Sequence, residues 1–409
     1  MKINHSIVTL LILQCMALFQ SCTQSEFMIE PLGEKVPYTE EKKTITDELS
    51  ASGMTLFLSA FEKSNLSDSL KNWENTPLTI LVPSNDAFEK VGLNKEAIDK
   101  MSAKQLDTLL LYHCVATRFD TSVVKYTAGN IKILTKLINP YLRTDWHIPY
   151  TYLHYVGINN NDLWINGKLS ATYKVRKTKE ADIIYINRFL IKPTQDMWSL
   201  LEADGRFSLF LKIIKANDLA YKNKNFNDAK MQFTLAVNPT AEYYQANIKF
   251  LSLFAPTDEA FVKAGYSDIE DLRKLNDKNM GIVGKFLYYK NGDPYDFRVF
   301  LKSDSILSYH SWGVRYYPTD SKSNATIFFS NELNNDRLAN YIICPMVIDQ
   351  SKPEYACPFV FSKREDGKTQ IKLKNARESD EAATIIDTDI LTLNGPIHVV
   401  DRLFIPRNF

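Results

Sequence analysis

The chain has 409 residues, with 49 Lys and Arg against 48 Asp and Glu, 45% apolar and 24% charged residues. That length suits two or three domains, each able to bury its own core, in an ordinary globular composition. The net charge of +1 gives no basic field for nucleic acid or an anionic membrane surface.

Lys2 and the apolar run Ile7–Phe19 make a signal peptide. The run is shorter than the roughly 20 residues that span a bilayer. Ser21-Cys22 resembles the end of a bacterial lipoprotein signal, in which Cys22 is lipidated and becomes the first mature residue. An ordinary secretory peptide with an incidental Cys is the alternative. We expect residues 1–21 to be removed and residues 22–44, polar and holding Pro31 and Pro37, to act as a tether. The expected location is the envelope of a Gram-negative bacterium, lipid-anchored at the outer membrane and facing either the surface or the periplasm. Cys15 leaves with the signal and Cys22 carries lipid, so Cys114, Cys344 and Cys357 remain. In an oxidising compartment Cys344 and Cys357 can pair; two separate thiols are the alternative. Cys114 sits in an apolar run and reads as core.

The period of apolar residues predicts a helix over Met54–Leu66, through Leu56, Phe57, Phe61 and Leu66. It recurs at an offset of 153 as Phe207–Leu219. Next comes Leu78–Leu93, LTILVPSNDAFEKVGL, which returns at an offset of 173 as Leu251–Tyr266, LSLFAPTDEAFVKAGY. Each copy reads as a buried strand ended by Pro83 or Pro256, then a short helix. Ser84 or Thr257 caps that helix, and Gly92 or Gly265 closes it. Ser102–Gln105 is a capping-box pattern, opening a helix through Leu106–Leu110 that gives way to a strand at Leu111–Val115. Tyr288-Tyr289 stands at the comparable place of the second copy. Strands are expected at Ile131–Leu137, Thr151–Val156, Leu163–Ile165 and Ala171–Val175, with a turn at Asn159–Asp162. The copies close with Ile183–Ile191 and Ile397–Ile405, at an offset of 214. The growing offsets mark a repeat whose second copy is enlarged, with insertions at about 220–250 and 290–390.

These motifs together resemble the fasciclin domain. Val82–Phe88 and Ala255–Phe261 match its Pro–Thr/Ser–acidic–Ala-Phe motif, Tyr112-His113 its central Tyr-His pair, and His398–Phe404 its closing strand. The first copy departs at Ile184 and Asn187, where the closing His and Asp belong, and the second departs at Tyr288-Tyr289. The resemblance implies an α+β fold: two tandem β-wedge domains with packed helices, at 45–194 and 195–409. It also implies non-enzymatic modules of adhesion or extracellular matrix.

In some animal members the region of the Tyr-His pair contributes to receptor binding, so Tyr112 and His113 are candidates; a hydrogen-bonded core histidine is the plainer alternative. Trp312, Tyr316 and Tyr317, with Tyr309, form an aromatic cluster able to stack on sugar or peptide, or to pack on a sheet. Trp146, Tyr152 and His154 admit the same two readings. His398 reads as structural. No nucleophile elbow, zinc motif, phosphate loop or EF-hand spacing occurs, and the scattered Asp293, Asp296, Asp304 and Asp320 read as solvated loop residues, so no cofactor or metal is expected. The function expected is that of an envelope adhesion or assembly module, tied to the membrane by its lipid, with a protein or polysaccharide partner and no nucleic acid. The alternative is an accessory glycan-binding lipoprotein of an outer-membrane polysaccharide-uptake system.

Overall fold

The structure is a computed structural model that describes residues 43–73, 76–119, 124, 129–145, 148–223, 232, 235–237, 248, 250–278, 286–290, 293–297, 301–313, 327–338, 342–343, 355–405 and 407. The lipidation position Cys22, the signal peptide and nearly all of the tether lie outside them.

Among the described residues the first copy contributes eight strands: β1 Thr79–Pro83, β2 Cys114–Val115, β3 Ile131–Asp145, β4 Ile148–Asn159, β5 Asp162–Ile165, β6 Lys168–Thr172, β7 Val175–Lys177 and β8 Asp182–Ile186. They form one sheet in the order β6-β5-β4-β3-β2-β1-β8-β7. β1 is buried along its whole length. It pairs in parallel with β8 on one side and antiparallel with β2 on the other, which explains the apolar run Ile80–Val82. Alternate residues face opposite ways. Ile80 and Val82 pack with Leu56, Phe57, Phe61, Phe88 and Leu110 of the helices, while Leu81 joins Val156, Leu163 and Ile184 in a second core. Asn160 and Asn161 take φ of 47° and 73°, the left-handed pair that a two-residue hairpin turn needs, at the turn expected from the asparagines.

The second copy repeats this plan. Its strands are β9 Leu251–Pro256, β10 Phe286–Lys290, β11 Asp293–Phe297, β12 Ser311–Gly313, β13 Ile342–Ile343, β14 Tyr355–Ala356, β15 Phe359–Lys363, β16 Thr369–Leu373, β17 Ala383–Thr392 and β18 Gly395–Val400. Six of them form a sheet in the order β12-β9-β18-β17-β16-β15, while β10-β11 and β13-β14 are separate pairs. β9 is again fully buried, with β18 parallel on one side and β12 antiparallel on the other. The α+β class is thus the observed one.

The repeated motif has one physical explanation in both copies. Ser84 Oγ accepts from the N–H of Ala87, and Thr257 Oγ1 from that of Ala260. The next residue reaches back to the preceding helix: Asn85 Oδ1 accepts from Leu56 N–H at 3.1 Å, and Asp258 Oδ1 from Leu209 N–H at 2.7 Å. Each therefore supplies a partner for an otherwise unpaired helix-start donor. Phe88 and Phe261 are 1% exposed, and Gly92 and Gly265 take φ of 78° and 88°.

Three expectations are corrected. The segment Leu111–Val115 is helical as far as His113, and only Cys114-Val115 is strand. The closing segments are extended only to Ile186 and Val400. Tyr288-Tyr289 is not the second copy's Tyr-His pair. Its strand β10 pairs with β11 and not with β9. The residues facing β9 follow His310 instead: Ser311 pairs with Leu253 as Cys114 pairs with Ile80. The counterpart of Tyr112-His113 is therefore Tyr309-His310, and the β10-β11 hairpin is additional chain that precedes it.

Candidate functional site

Tyr112 and His113 end the helix Ala103–His113 and are 1% and 0% exposed. His113 Nδ1 donates to Leu109 O at 2.9 Å, and its Nε2 accepts from Leu190 N–H at 3.1 Å. His310 makes the matching Nε2 bond, accepting from Phe404 N–H at 3.0 Å, while its Nδ1 donates to a carbonyl of β9, Phe254 O, at 2.7 Å. Each imidazole fastens the chain leaving the closing strand to the end of a helix. His154 Nε2 donates to Tyr112 O at 2.8 Å, and its Nδ1 accepts from the Asn166 amide at 3.2 Å. His398 Nε2 donates to Phe328 O at 2.9 Å, while Nδ1 faces Asp389 N–H. All four rings are 0% exposed, and each needs one donor and one acceptor nitrogen, the neutral tautomer. Burial pushes His113 and His310 down to about 4, His154 to about 3, and lowers His398 as well.

Of the other sequence candidates, Tyr152 is buried, its ring edge-on to Tyr112 with centroids 5.8 Å apart. The backbone of Trp312 pairs with Ser252. The side chain of Trp312, with Trp146, Tyr316 and Tyr317, lies outside the described residues, as do Asp320 and Cys344. Cys114 and Cys357 are buried free thiols. Asp304 is buried and accepts from the Asn217 amide at 2.9 Å. Among the described residues, no group of three His, Cys, Asp or Glu could hold a metal ion, and no helix is long and apolar enough to cross a membrane.

Two features escaped the sequence reading, and both lie where the copies meet. The first is a buried carboxylate. Glu332 is 0% exposed. Its Oε1 accepts from Asn130 N–H at 2.7 Å, and its Oε2 from the Asn130 amide at 2.9 Å and Phe329 N–H at 3.0 Å. Burial pushes its carboxyl up to about 7, against the pull of those N–H donors. Beside it, Ser330 N–H donates to Asp389 Oδ1 at 2.8 Å, and Leu153, Tyr155, Ile327 and Phe329 close an apolar patch over the seam.

The second is a cleft of about 430 Å³ between the β5–β6 turn, the segment Arg188–Gln195 and the β17 residues Thr388–Leu391. Arg188 is half-buried there. Its Nη1 donates to Ile165 O at 3.3 Å, and burial lowers its pKa against the opposing pull of the Asp389 charge. A site between sheets, with apolar walls and a few polar groups, is where small ligands usually bind.

No curated protein matches the chain. A solved FAS1 domain pair from the insect cell adhesion molecule fasciclin I aligns over 86% of this chain and 96% of that one, at 14% identity and a TM-score of 0.31. Residues 52–192, from the helix before the first Pro motif to the end of the first sheet, match the family model described as Fasciclin domain.

Proposed function

We propose that the protein is a non-enzymatic adhesion or assembly module of the cell envelope, lipid-anchored through Cys22, that binds a protein or glycan partner by surface contact. Fasciclin domains are in general adhesion modules, and residues 52–192 match one. The observation that carries the reading is the use made of the histidines. His113, His154, His310 and His398 are buried, with both ring nitrogens directed at backbone or amide groups of the frame. Groups held neutral in the core brace the fold and are unsuited to proton transfer at a surface site.

The test is capture by the full chain, in detergent, of envelope proteins and of a glycan array. Saturable, dose-dependent binding of a partner that survives without chemical change supports the module. Turnover of a bound partner, or a surface that retains nothing above an unrelated lipoprotein, contradicts it. The accessory glycan-binding role in polysaccharide uptake is the second reading. The cleft at Arg188 favours it, because it offers a pocket where an adhesion surface needs only an exposed face.

A further inference from the structure

Arg188 and Arg402 occupy the same position in the two copies, at the offset of 214 that relates the closing segments. Their surroundings differ. Arg402 Nη2 meets the carboxylate of Glu381 in an ion pair. Among the described residues no carboxylate pairs with Arg188, whose one hydrogen bond goes to Ile165 O. Asp389 shares the cleft and its charge acts on Arg188, but its two oxygens accept from the N–H and hydroxyl of Ser330 and not from the guanidinium. A guanidinium presents five N–H donors in a planar fork, so most of Arg188's donors remain unused on a partly desolvated cation. That is costly for a residue with only a structural role.

The rest of the cleft indicates what would use them. Lys168 and Lys192 also line it, so its charged lining is three cations, Arg188 included, and one carboxylate, Asp389. Phe189 and Leu200 are among its apolar lining residues, and Thr194, Gln195 and Thr388 among its neutral polar ones. Its volume of about 430 Å³ lies within the range typical of small-molecule sites, about 300–1,000 Å³. The anion fits the fork, the apolar wall fits a ring face, and the hydroxyl and amide groups fit sugar hydroxyls.

We propose that this cleft binds a carboxylate-bearing sugar, such as a uronic acid residue of an acidic glycan, with its carboxylate seated on Arg188. The proposal rests on the reading of the protein as a partner-binding module and names glycan as the partner class. Arg188 makes a charge-assisted, two-pronged contact. Lys168 and Lys192 supply a positive field that draws the anion in and weakens as salt rises.

Calorimetric titration of the full chain in detergent tests this with trigalacturonate, neutral galactotriose and triglutamate as probes. Trigalacturonate should bind saturably, at least about tenfold tighter than either other probe. Arg188→Gln should weaken it about tenfold or more, the loss of one strong charged contact, and Arg188→Lys should recover only part. Arg402→Gln, at the already paired position, should leave the affinity unchanged. If Arg188→Gln does not fold, the rim variant Lys168→Gln/Lys192→Gln should still reduce affinity and flatten the salt dependence. The site is overturned if trigalacturonate does not bind, if galactotriose binds equally well, or if affinity survives Arg188→Gln or the rim variant unchanged. Equal, Arg188-dependent binding of triglutamate overturns the choice of sugar. A partner captured equally by wild type and Arg188→Gln overturns this cleft as its site and leaves the module reading standing.

Discussion

Asn130 of the first copy grips Glu332 of the second with both its backbone N–H, at 2.7 Å, and its side-chain amide, at 2.9 Å. One residue thus supplies two of the three N–H donors that reach a fully buried carboxylate. The same amide exchanges hydrogen bonds with Asn331 at 3.0 and 2.9 Å.

The seam between the copies should therefore be sensitive to Asn130. Asn130→Ala leaves Glu332 buried with one donor fewer and is expected to cost about 1–3 kcal/mol. Glu332→Gln turns an amide N–H₂ towards N–H donors and should cost a similar amount. Denaturant unfolding measures both. A loss within about 0.5 kcal/mol, the range of ordinary surface substitutions, in both variants would show that this cluster does not hold the copies together.

The histidines set an acid limit. In the unfolded chain they titrate near 6.5, whereas His113 and His310 are held at about 4 and His154 at about 3. Their contribution is complete above pH 6.5 and is lost as pH falls from there through the folded values. Glu332, raised to about 7 from an ordinary 4.5, works oppositely: its contribution is complete below 4.5 and is lost as pH rises towards 7. Four lowered histidines outweigh one raised carboxyl. The melting temperature should fall by ~5 °C or more between pH 7 and pH 5. A melting temperature that is flat or rises over that interval contradicts the assignment of these rings as buried and neutral.

His113 and His310 also show what was legible in the sequence and what was not. The Pro motif was readable because its roles are local: cap, apolar turn, terminal glycine. The repeat of His113 is hidden in the sequence, because the β10-β11 hairpin enters before it and moves the pair to an offset of 197, between the 173 of the Pro motif and the 214 of the closing strands. At that intermediate offset the sequence does repeat the pair, as Tyr309-His310. The helix reaching His113 is hard to read for a different reason. Apart from His113, Leu109–Val115 is apolar or aromatic, and a short run of that kind does not separate helix from strand by period. Nothing local announces Asn130 with Glu332, or Arg188 facing an open cleft. The first pair lies 202 residues apart in the chain, and the second emerges only when the surroundings of two equivalent arginines are compared.

Truncating the repeat's aromatic anchors should damage the fold and not recognition. Phe88→Ala or Phe261→Ala, each at a 1% exposed position, should cost about 3–5 kcal/mol. Simultaneous Trp312→Ala, Tyr316→Ala and Tyr317→Ala tests the aromatic cluster in the opposite sense, by expecting lost partner binding in a protein that still melts cooperatively. Unchanged binding with the fold intact removes that cluster from the contact surface.

Lipidation of Cys22 has a direct readout. Cys22→Ser should move the protein from the membrane fraction to the soluble envelope fraction, because stable anchoring needs more than one acyl chain and the Ser variant carries none. Membrane retention without an N-terminal lipid mass would contradict the anchor.

The central claim, that the chain is an envelope module working by contact, meets its most direct test in cell attachment. Cells lacking the protein should attach less to the surface or polymer that wild-type cells hold. The full-length chain should restore attachment, and the Cys22→Ser form should not. Equal attachment with and without the protein would contradict the account.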